Sequence, residues 1–288
     1  VLLLTVAIGV VTYATRFFLA EVAFTKASRT STVEETAAPL AKAISYRSSY
    51  MPYRLASATL SLQQARIESQ KAVPNPDQVA SHLSAAINEA KIVTQKDPFG
   101  VDGWNMLALL YMNAGSFTAD AQGWAESALQ KALTLEPSNA NATLQLAIVE
   151  QSMNKMKEAE TAYRDAINKQ PDLVPAYTGL TDLYESQQRI DDAVALYEQM
   201  AGSIQNNPEL LYQWGRVSYN RKKADDEARA EQLWLRAVEL QPGFSNALYS
   251  LGLLYEKEGD KAKAREYYQK VSALNPNNED VKMKLRNL

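Results

Sequence analysis

The sequence predicts an all-α chain: a solenoid of antiparallel helix hairpins preceded by an N-terminal transmembrane helix. Three observations carry that expectation. Between Val101 and Asn278 one order of residue sizes returns five times in a 34-residue frame, closed by Pro137, Pro171, Pro208, Pro242 and Pro276. No stretch alternates apolar and polar residues with period two over a useful length, which argues against strands. The first fifteen residues, Val1 to Thr15, carry no charge at all.

The N-terminal element is taken as residues 1–24, a span and its interfacial exit. Phe17, Phe18 and Leu19 extend the apolar run past Arg16, giving the roughly 20 apolar residues that a membrane-crossing helix needs. Arg16 can snorkel towards the headgroups, and Tyr13, Phe17 and Phe18 suit an interfacial belt. The core of a signal peptide and a buried helix of a soluble protein fit the same composition. The chain begins at Val1, so it is expected to be a fragment with an upstream flank. Arg16, Lys26 and Arg29 lean towards a cytoplasmic side, but that rule compares two flanks and leaves the side of the array open.

Residues 25–100 form a helical linker region with one degenerate hairpin. Val33 to Tyr46 reads as a helix with Leu40, Ala43 and Ile44 on one side. Tyr50 to Gln70 reads as another, packing through Tyr53, Leu55, Leu60, Leu62 and Ile67. Pro74-Asn75-Pro76 breaks the chain, and Asp77 is placed to cap the helix Gln78 to Lys96. That helix puts Ala86, Ala90, Val93 and then Pro98 at offsets 20, 24, 27 and 32 of a worn repeat.

Five units follow, at 101–139, 140–173, 174–210, 211–244 and 245–278. In the last, Leu248, Leu251, Gly252, Tyr255, Ala264, Tyr268, Val271 and Pro276 hold offsets 4, 7, 8, 11, 20, 24, 27 and 32. Small residues at 8, 20 and 27 let two helices approach closely, and large ones at 4, 7, 11 and 24 fill the space between hairpins. Proline at 32 ends the second helix because it lacks the N–H and restricts the residue before it. The third unit reaches its proline three residues late. In the fourth, Arg221 stands where an aromatic is usual, and Arg221 to Glu227 is expected to form a longer, solvated hairpin, with the helix contact left to Trp214 and Trp234. In the first, Ser116 to Gly123 is an insertion, a place where arrays sometimes carry binding elements. Residues 279–288 read as a capping helix, with Val281 and Leu285 inward and Lys282, Lys284 and Arg286 in water.

This pattern resembles the tetratricopeptide repeat, and the resemblance covers about two-thirds of the chain. It implies a right-handed superhelix whose concave groove is lined by offsets 2, 5, 9 and 12 of each unit. The groove residues singled out are then Asn105, Leu109 and Met112; Leu144 and Ile148; Thr178 and Asp182; Tyr212 and Tyr219; and Tyr249 and Leu253. The lysine and asparagine set with which such repeats clamp the acidic tail of heat-shock chaperones is missing, since offset 5 holds Asn105, Leu144, Thr178, Gly215 and Tyr249. A mixed groove with apolar, tyrosine and amide groups suits an extended peptide or an amphipathic helix as partner. Tyr212, Tyr219 and Tyr249 are candidate anchors because aromatics dominate interface energetics, unless they pack within the array.

A second resemblance covers residues 1 to about 100. The apolar run into Arg16-Phe17-Phe18-Leu19-Ala20-Glu21, the helix ending Lys42-Ala43-Ile44 and the tyrosine- and proline-marked hairpins are similar to the C-terminal portion of bacterial O-antigen ligase-like and polymerase-like membrane proteins. That resemblance implies a bacterial inner-membrane setting and places sugar-transfer chemistry outside these residues.

The remaining composition narrows the function classes. A net charge of −3 argues against a nucleic-acid surface, and there is no cysteine for disulfides or thiolate sites. His82 is the only histidine, so a two-histidine metal site and a histidine acid–base pair are both ruled out. Acidic runs at Glu34-Glu35, Asp191-Asp192 and Asp225-Asp226-Glu227 fall at helix starts or hairpin loops, where acids favour the positive end of the helix dipole. No catalytic residue, cofactor or metal is expected, and the sequence points to binding. The leading expectation is a membrane-anchored scaffold for another protein of an envelope assembly. The alternatives are the accessory tail of a multi-span glycan ligase or polymerase, and a soluble adaptor.

Overall fold

The computed structural model describes residues 2–288, and side chains from residue 5 onward apart from residue 7. Val1, which opens the expected span, lies outside the described residues. Every regular element among the described residues is helical. The chain forms two compact units, Val1–Lys155 and Met156–Leu288.

The first unit holds α1 (Leu2–Ser28), α2 (Val33–Tyr46), α3 (Met51–Ser69), α4 (Pro76–Lys96), α5 (Val101–Asn113), α6 (Ala121–Leu135) and α7 (Ala140–Ser152). Consecutive helices pack as pairs, α1 with α2, α3 with α4 and α5 with α6, and α4 and α6 each lean on the helix that follows. The caps explain where the helices start. The Thr32 hydroxyl accepts the Glu35 N–H, and the Asn139 side chain accepts that of Ala142. Asn75, not Asp77, caps α4, accepting from the N–H groups of Asp77 and Gln78. Pro76 fixes the first helical φ, which leaves Asn75 as the extended residue before it. Ile67 is another correction: it is 46% exposed, while Tyr53, Leu60 and Leu62 are buried as expected.

The N-terminal helix has two halves of different character. Val6, Ile8, Val10, Val11, Tyr13 and Phe18 are each more than half exposed. Ala20, Ala23 and Ala27 are buried, on a core shared with Leu40, Ala43, Tyr53 and Leu60. The expected boundary at residue 24 is therefore crossed by one continuous helix, whose last turns form a hairpin with α2. Three alanines at i, i+3 and i+7 let the two backbones approach, the same device the repeats use. Tyr53 fixes the joint: its hydroxyl donates to Glu21 at 2.7 Å, Arg47 reaches Glu21 at 3.6 Å, and the Arg47 guanidinium lies 4.5 Å over the Phe17 ring.

The second unit holds α8 (Met156–Lys169), α9 (Val174–Ser186), α10 (Ile190–Gln199), α11 (Ala201–Ile204), α12 (Pro208–Arg221), α13 (Asp226–Leu240), α14 (Ser245–Glu258), α15 (Lys261–Leu274) and α16 (Glu279–Asn287). Its core is built on aromatics at the repeated offsets: Tyr163, Tyr177, Tyr184, Tyr197 and Tyr268 are all fully buried. Small residues opposite them are required by space. A Cβ at Gly252 would stand 2.6 Å from the Tyr268 ring, and one at Gly215 would stand 2.5 Å from Trp234. The late proline of the third unit also has a cause. Met200 occupies the offset where alanine or valine closes the other hairpins, and the helix breaks there. An extra turn, α11, buries Ile204 before Asn207 caps α12.

The hairpin between α12 and α13 differs from the expectation of a longer, solvated turn. Four residues, 222–225, connect the helices, with Lys222 and Asp225 at φ 58° and 68°. Arg221 turns inward and holds Asp226 with two hydrogen bonds, of 3.0 and 2.6 Å, while the Lys223 N–H donates to the same carboxylate at 2.7 Å. Asp226 is 1% exposed. An ion pair thus fills the place of the usual aromatic, and one hydrogen bond from the Lys223 N–H ties it to a turn that takes two non-glycine residues at positive φ. At the end of the chain Val281 is buried and Leu285 packs on the core. Lys284, expected in water, instead pairs with Glu256 at 2.9 Å.

Candidate partner-binding site

The groove offsets fall in both units, and each set is described within its own unit. In the first unit α5 carries Asn105, Leu109 and Met112, and α7 carries Leu144 and Ile148. Leu109 and Met112 are half-buried against the core, and Ile148 is 42% exposed. Leu144 does not offer a contact surface: it is buried, because α7 buries residues around most of its circumference. Asn105 is the most informative of the five. Its Oδ1 is buried and accepts no hydrogen bond among the described residues. An amide oxygen withdrawn from water without a donor costs about 1–3 kcal/mol.

In the second unit Thr178 spends its hydroxyl on the Val174 carbonyl at 3.2 Å, and Asp182 on the same helix is exposed. The three tyrosines come together on one apolar cluster, each seated on a deeper ring. Tyr212 meets Phe244 edge-on at 5.4 Å, Tyr219 meets Trp234 at 5.7 Å and Tyr249 meets Tyr268 at 5.7 Å. They are half-buried, so each shows a partner only part of its ring. Tyr249 is further held through its hydroxyl, which donates to Asp280 and is pushed up to about 12 by that bond and by burial. Tyr219 has Lys257 5.3 Å above its ring. Leu253, 38% exposed and with no polar atom to engage, is the freest of the predicted set in this unit.

Sequence reasoning missed the charges that frame this surface. Arg216 binds Glu185 through both carboxylate oxygens at 3.1 and 3.0 Å, and Lys284 binds Glu256. In both pairs an acid at offset 12 meets a base at offset 6 of the next helix pair, so α16 repeats the register of a repeat's first helix. Other acids reach a base one repeat on: Glu126 to Lys155 at 2.6 Å and Glu160 to Arg189 at 2.8 Å. Glu160 is held below the usual carboxylate range, chiefly by Arg189. The signal was present as acids and bases about one period apart, but offset alone does not say which of them face each other.

Sequence models of the tetratricopeptide repeat match residues 79–140, 144–208 and 245–278. The chain belongs to the tetratricopeptide repeat family. The first of those matches opens inside α4, upstream of the five clear units. Among solved structures, the C-terminal part of a tetratricopeptide repeat protein from Cytophaga hutchinsonii superposes with a TM-score of 0.63 at 13% identity, covering 93% of this chain and 99% of that one. A structure of pilF from Pseudomonas aeruginosa gives 0.50 at 14% identity, covering 81% and 97%. These show the fold. By sequence, the type IV pilus assembly protein PilF of Pseudomonas aeruginosa is 32% identical over 175 residues, 58% of this chain and 64% of that protein. The human protein O-mannosyl-transferase TMTC1 is 27% identical over 183 residues. The chain spans 20% of the length of that relative. As a tetratricopeptide repeat chain the molecule is a protein-interaction scaffold, with a groove suited to peptides or proteins.

Proposed function

We propose that this chain is a membrane-anchored tetratricopeptide repeat scaffold that holds a partner protein of an envelope assembly, with no catalytic step within these residues. The observation that carries the reading is the division of α1. Its last turns are docked on α2 and α3, while the residues before them present bare apolar side chains to their surroundings. Two of its hydroxyls are satisfied within the helix: Thr12 and Thr15 donate to the carbonyls of Ile8 and Val11 at 2.8 Å each. That suits a helix in hydrocarbon, where every polar group needs an internal partner. By length and composition α1 is a candidate to cross a membrane, its stretch Ile8–Ser28 having a mean hydropathy of 1.3. PilF, a type IV pilus assembly protein by name, supports an assembly role.

Partner capture is assigned to the two groove patches, with Asn105 and Ile148 in the first unit and Tyr212, Tyr219, Tyr249 and Leu253 in the second. The test is alkaline carbonate extraction of the full chain together with a photocrosslinker placed at Ile148 or Leu253. Retention in the membrane pellet and one shared crosslinked partner support the scaffold. Release into the supernatant leaves the soluble adaptor instead. A second reading is favoured by the likeness to the O-mannosyl-transferase, only a fifth of which this chain spans. In it the array is the accessory region of a larger sugar-transferring membrane protein, of which the O-antigen ligase-like arrangement is one form. Sequencing the reading frame upstream of Val1 decides between them, because that reading needs several further apolar spans.

A further inference from the structure

A cleft of about 290 Å³ lies between α1 and α2. Its apolar lining includes Leu19, Val22, Pro39 and Tyr46, and its basic groups are Lys26 and Lys42. Both ammonium groups lack an ion-pair or hydrogen-bond partner among the described residues, and no carboxylate lines the cleft. Leu19 is 37% and Val22 51% exposed, so the apolar wall is bare and runs directly into the uncovered half of α1. Seven residues of helix, roughly 10 Å, separate Leu19 from Lys26. That puts the two lysines at headgroup depth when the bare half of α1 sits in hydrocarbon.

We infer that this cleft binds the phosphate headgroup of an anionic phospholipid. The ammonium groups of Lys26 and Lys42 would meet the phosphate, and an acyl chain would lie along Leu19 and Val22 towards the bare face of α1. The inference rests on the anchored reading above. Charge complementarity selects an anion, and continuity of the apolar wall with the span selects a lipid over a soluble phosphate. A juxtamembrane lysine contributes about a fivefold preference for an anionic surface, so two together give about thirtyfold.

The experiment uses the full chain, with Lys26→Gln, Lys42→Gln, the double variant and a double Lys→Arg control. Flotation with phosphatidylcholine vesicles reads the span alone. Native mass spectrometry of the detergent-extracted protein titrated with phosphatidylglycerol reads the cleft. The expected result is unchanged flotation for every variant, a loss of phosphatidylglycerol affinity of about fivefold for each single and about thirtyfold for the double glutamine variant, and retention by the arginine pair. Flotation with undiminished phosphatidylglycerol binding by the double glutamine variant would overturn the cleft and leave the span standing. Failure of the wild-type chain to float would overturn both. Displacement of phosphatidylglycerol by soluble polyglutamate at equal charge would assign the cleft to an acidic protein segment and overturn the lipid.

Discussion

The strongest test of the packing argument is Arg221→Ala. In the wild type the guanidinium is 16% exposed and the Asp226 carboxylate 1%, so the pair is largely out of water. Removing one member of a buried pair costs about 3–5 kcal/mol, because the other charge remains desolvated. Asp226 would keep the Lys223 N–H at 2.7 Å, which argues for the lower figure, about 3 kcal/mol. Stability in a repeat array is a sum of local terms, so global melting averages the loss and the readout should be local. Hydrogen exchange of amides in α12 and α13 is expected to accelerate roughly a hundredfold, with α5 and α6 unchanged. The sign with pH follows from the depressed Asp226 carboxyl, held below its ordinary range chiefly by Arg221 and then by the Lys223 N–H. A depressed acid contributes stability above its unfolded value, near 3.9, and loses it as pH falls through the folded value. The difference between wild type and Arg221→Ala is therefore full at neutral pH and closes in acid. An exchange change under about fivefold, the scale of an exposed pair, would refute the buried-pair account and restore the solvated hairpin. The double replacement Arg221→Tyr with Asp226→Ala should be near neutral, since an apolar pair of similar volume needs no compensation.

Other expectations follow from the same geometry. Burial pushes Tyr53, Tyr163, Tyr177 and Tyr184 up to about 12. A raised tyrosine adds stability that is complete below about pH 10 and lost as pH rises through the folded value; ultraviolet titration should show late phenolate formation coupled to unfolding, and titration at the free value would contradict it. Gly252→Ala drives a Cβ to 2.6 Å from a buried Tyr268 ring that is itself bonded to Glu256. It should be less stable than Gly123→Ala, whose Cβ meets nothing within 4 Å, by about 2 kcal/mol in urea unfolding. Asn105→Leu removes the orphaned amide oxygen, so it should raise the stability of the chain by about 1 kcal/mol or more; loss of stability would show that the amide has a partner in solution.

The hairpin architecture was legible because its determinants are local and repeat. Size at offsets 8, 20, 24 and 27 states what can approach what, and proline states where each hairpin stops. Three features were not legible, each for a physical reason. The docking of α1 depends on Ala20, Ala23 and Ala27, which carry no contrast against an apolar run; only a partner surface turns three alanines into an interface. The Arg221–Asp226 pair reads as two solvated charges until the turn closes and brings them together. The half-burial of Tyr212, Tyr219 and Tyr249 reflects the neighbouring ring each one meets, and a lining offset cannot separate a ring that faces solvent from one that leans on Trp234 or Tyr268.

The half-buried tyrosines have a consequence for the proposed scaffold. The side chains that face a groove are also those that join successive hairpins, so binding and array stability draw on the same groups. Tyr249 illustrates it: one edge packs on Tyr268, the hydroxyl holds Asp280 on α16, and only the remainder is open. Its removal would loosen the terminal helix as well as any partner, so loss of capture in Tyr249→Ala alone would not identify a contact. Ile148 and Leu253 separate the two effects. Each is more than a third exposed, so a charged replacement there should spare folding and tax only the partner. If Ile148→Glu and Leu253→Glu leave hydrogen exchange unchanged but abolish co-purification of the partner, the groove is the binding surface. If they leave the complex intact, the partner sits elsewhere on the array, and the exposed Phe117 and Trp124 flanking the α5–α6 turn become the place to look.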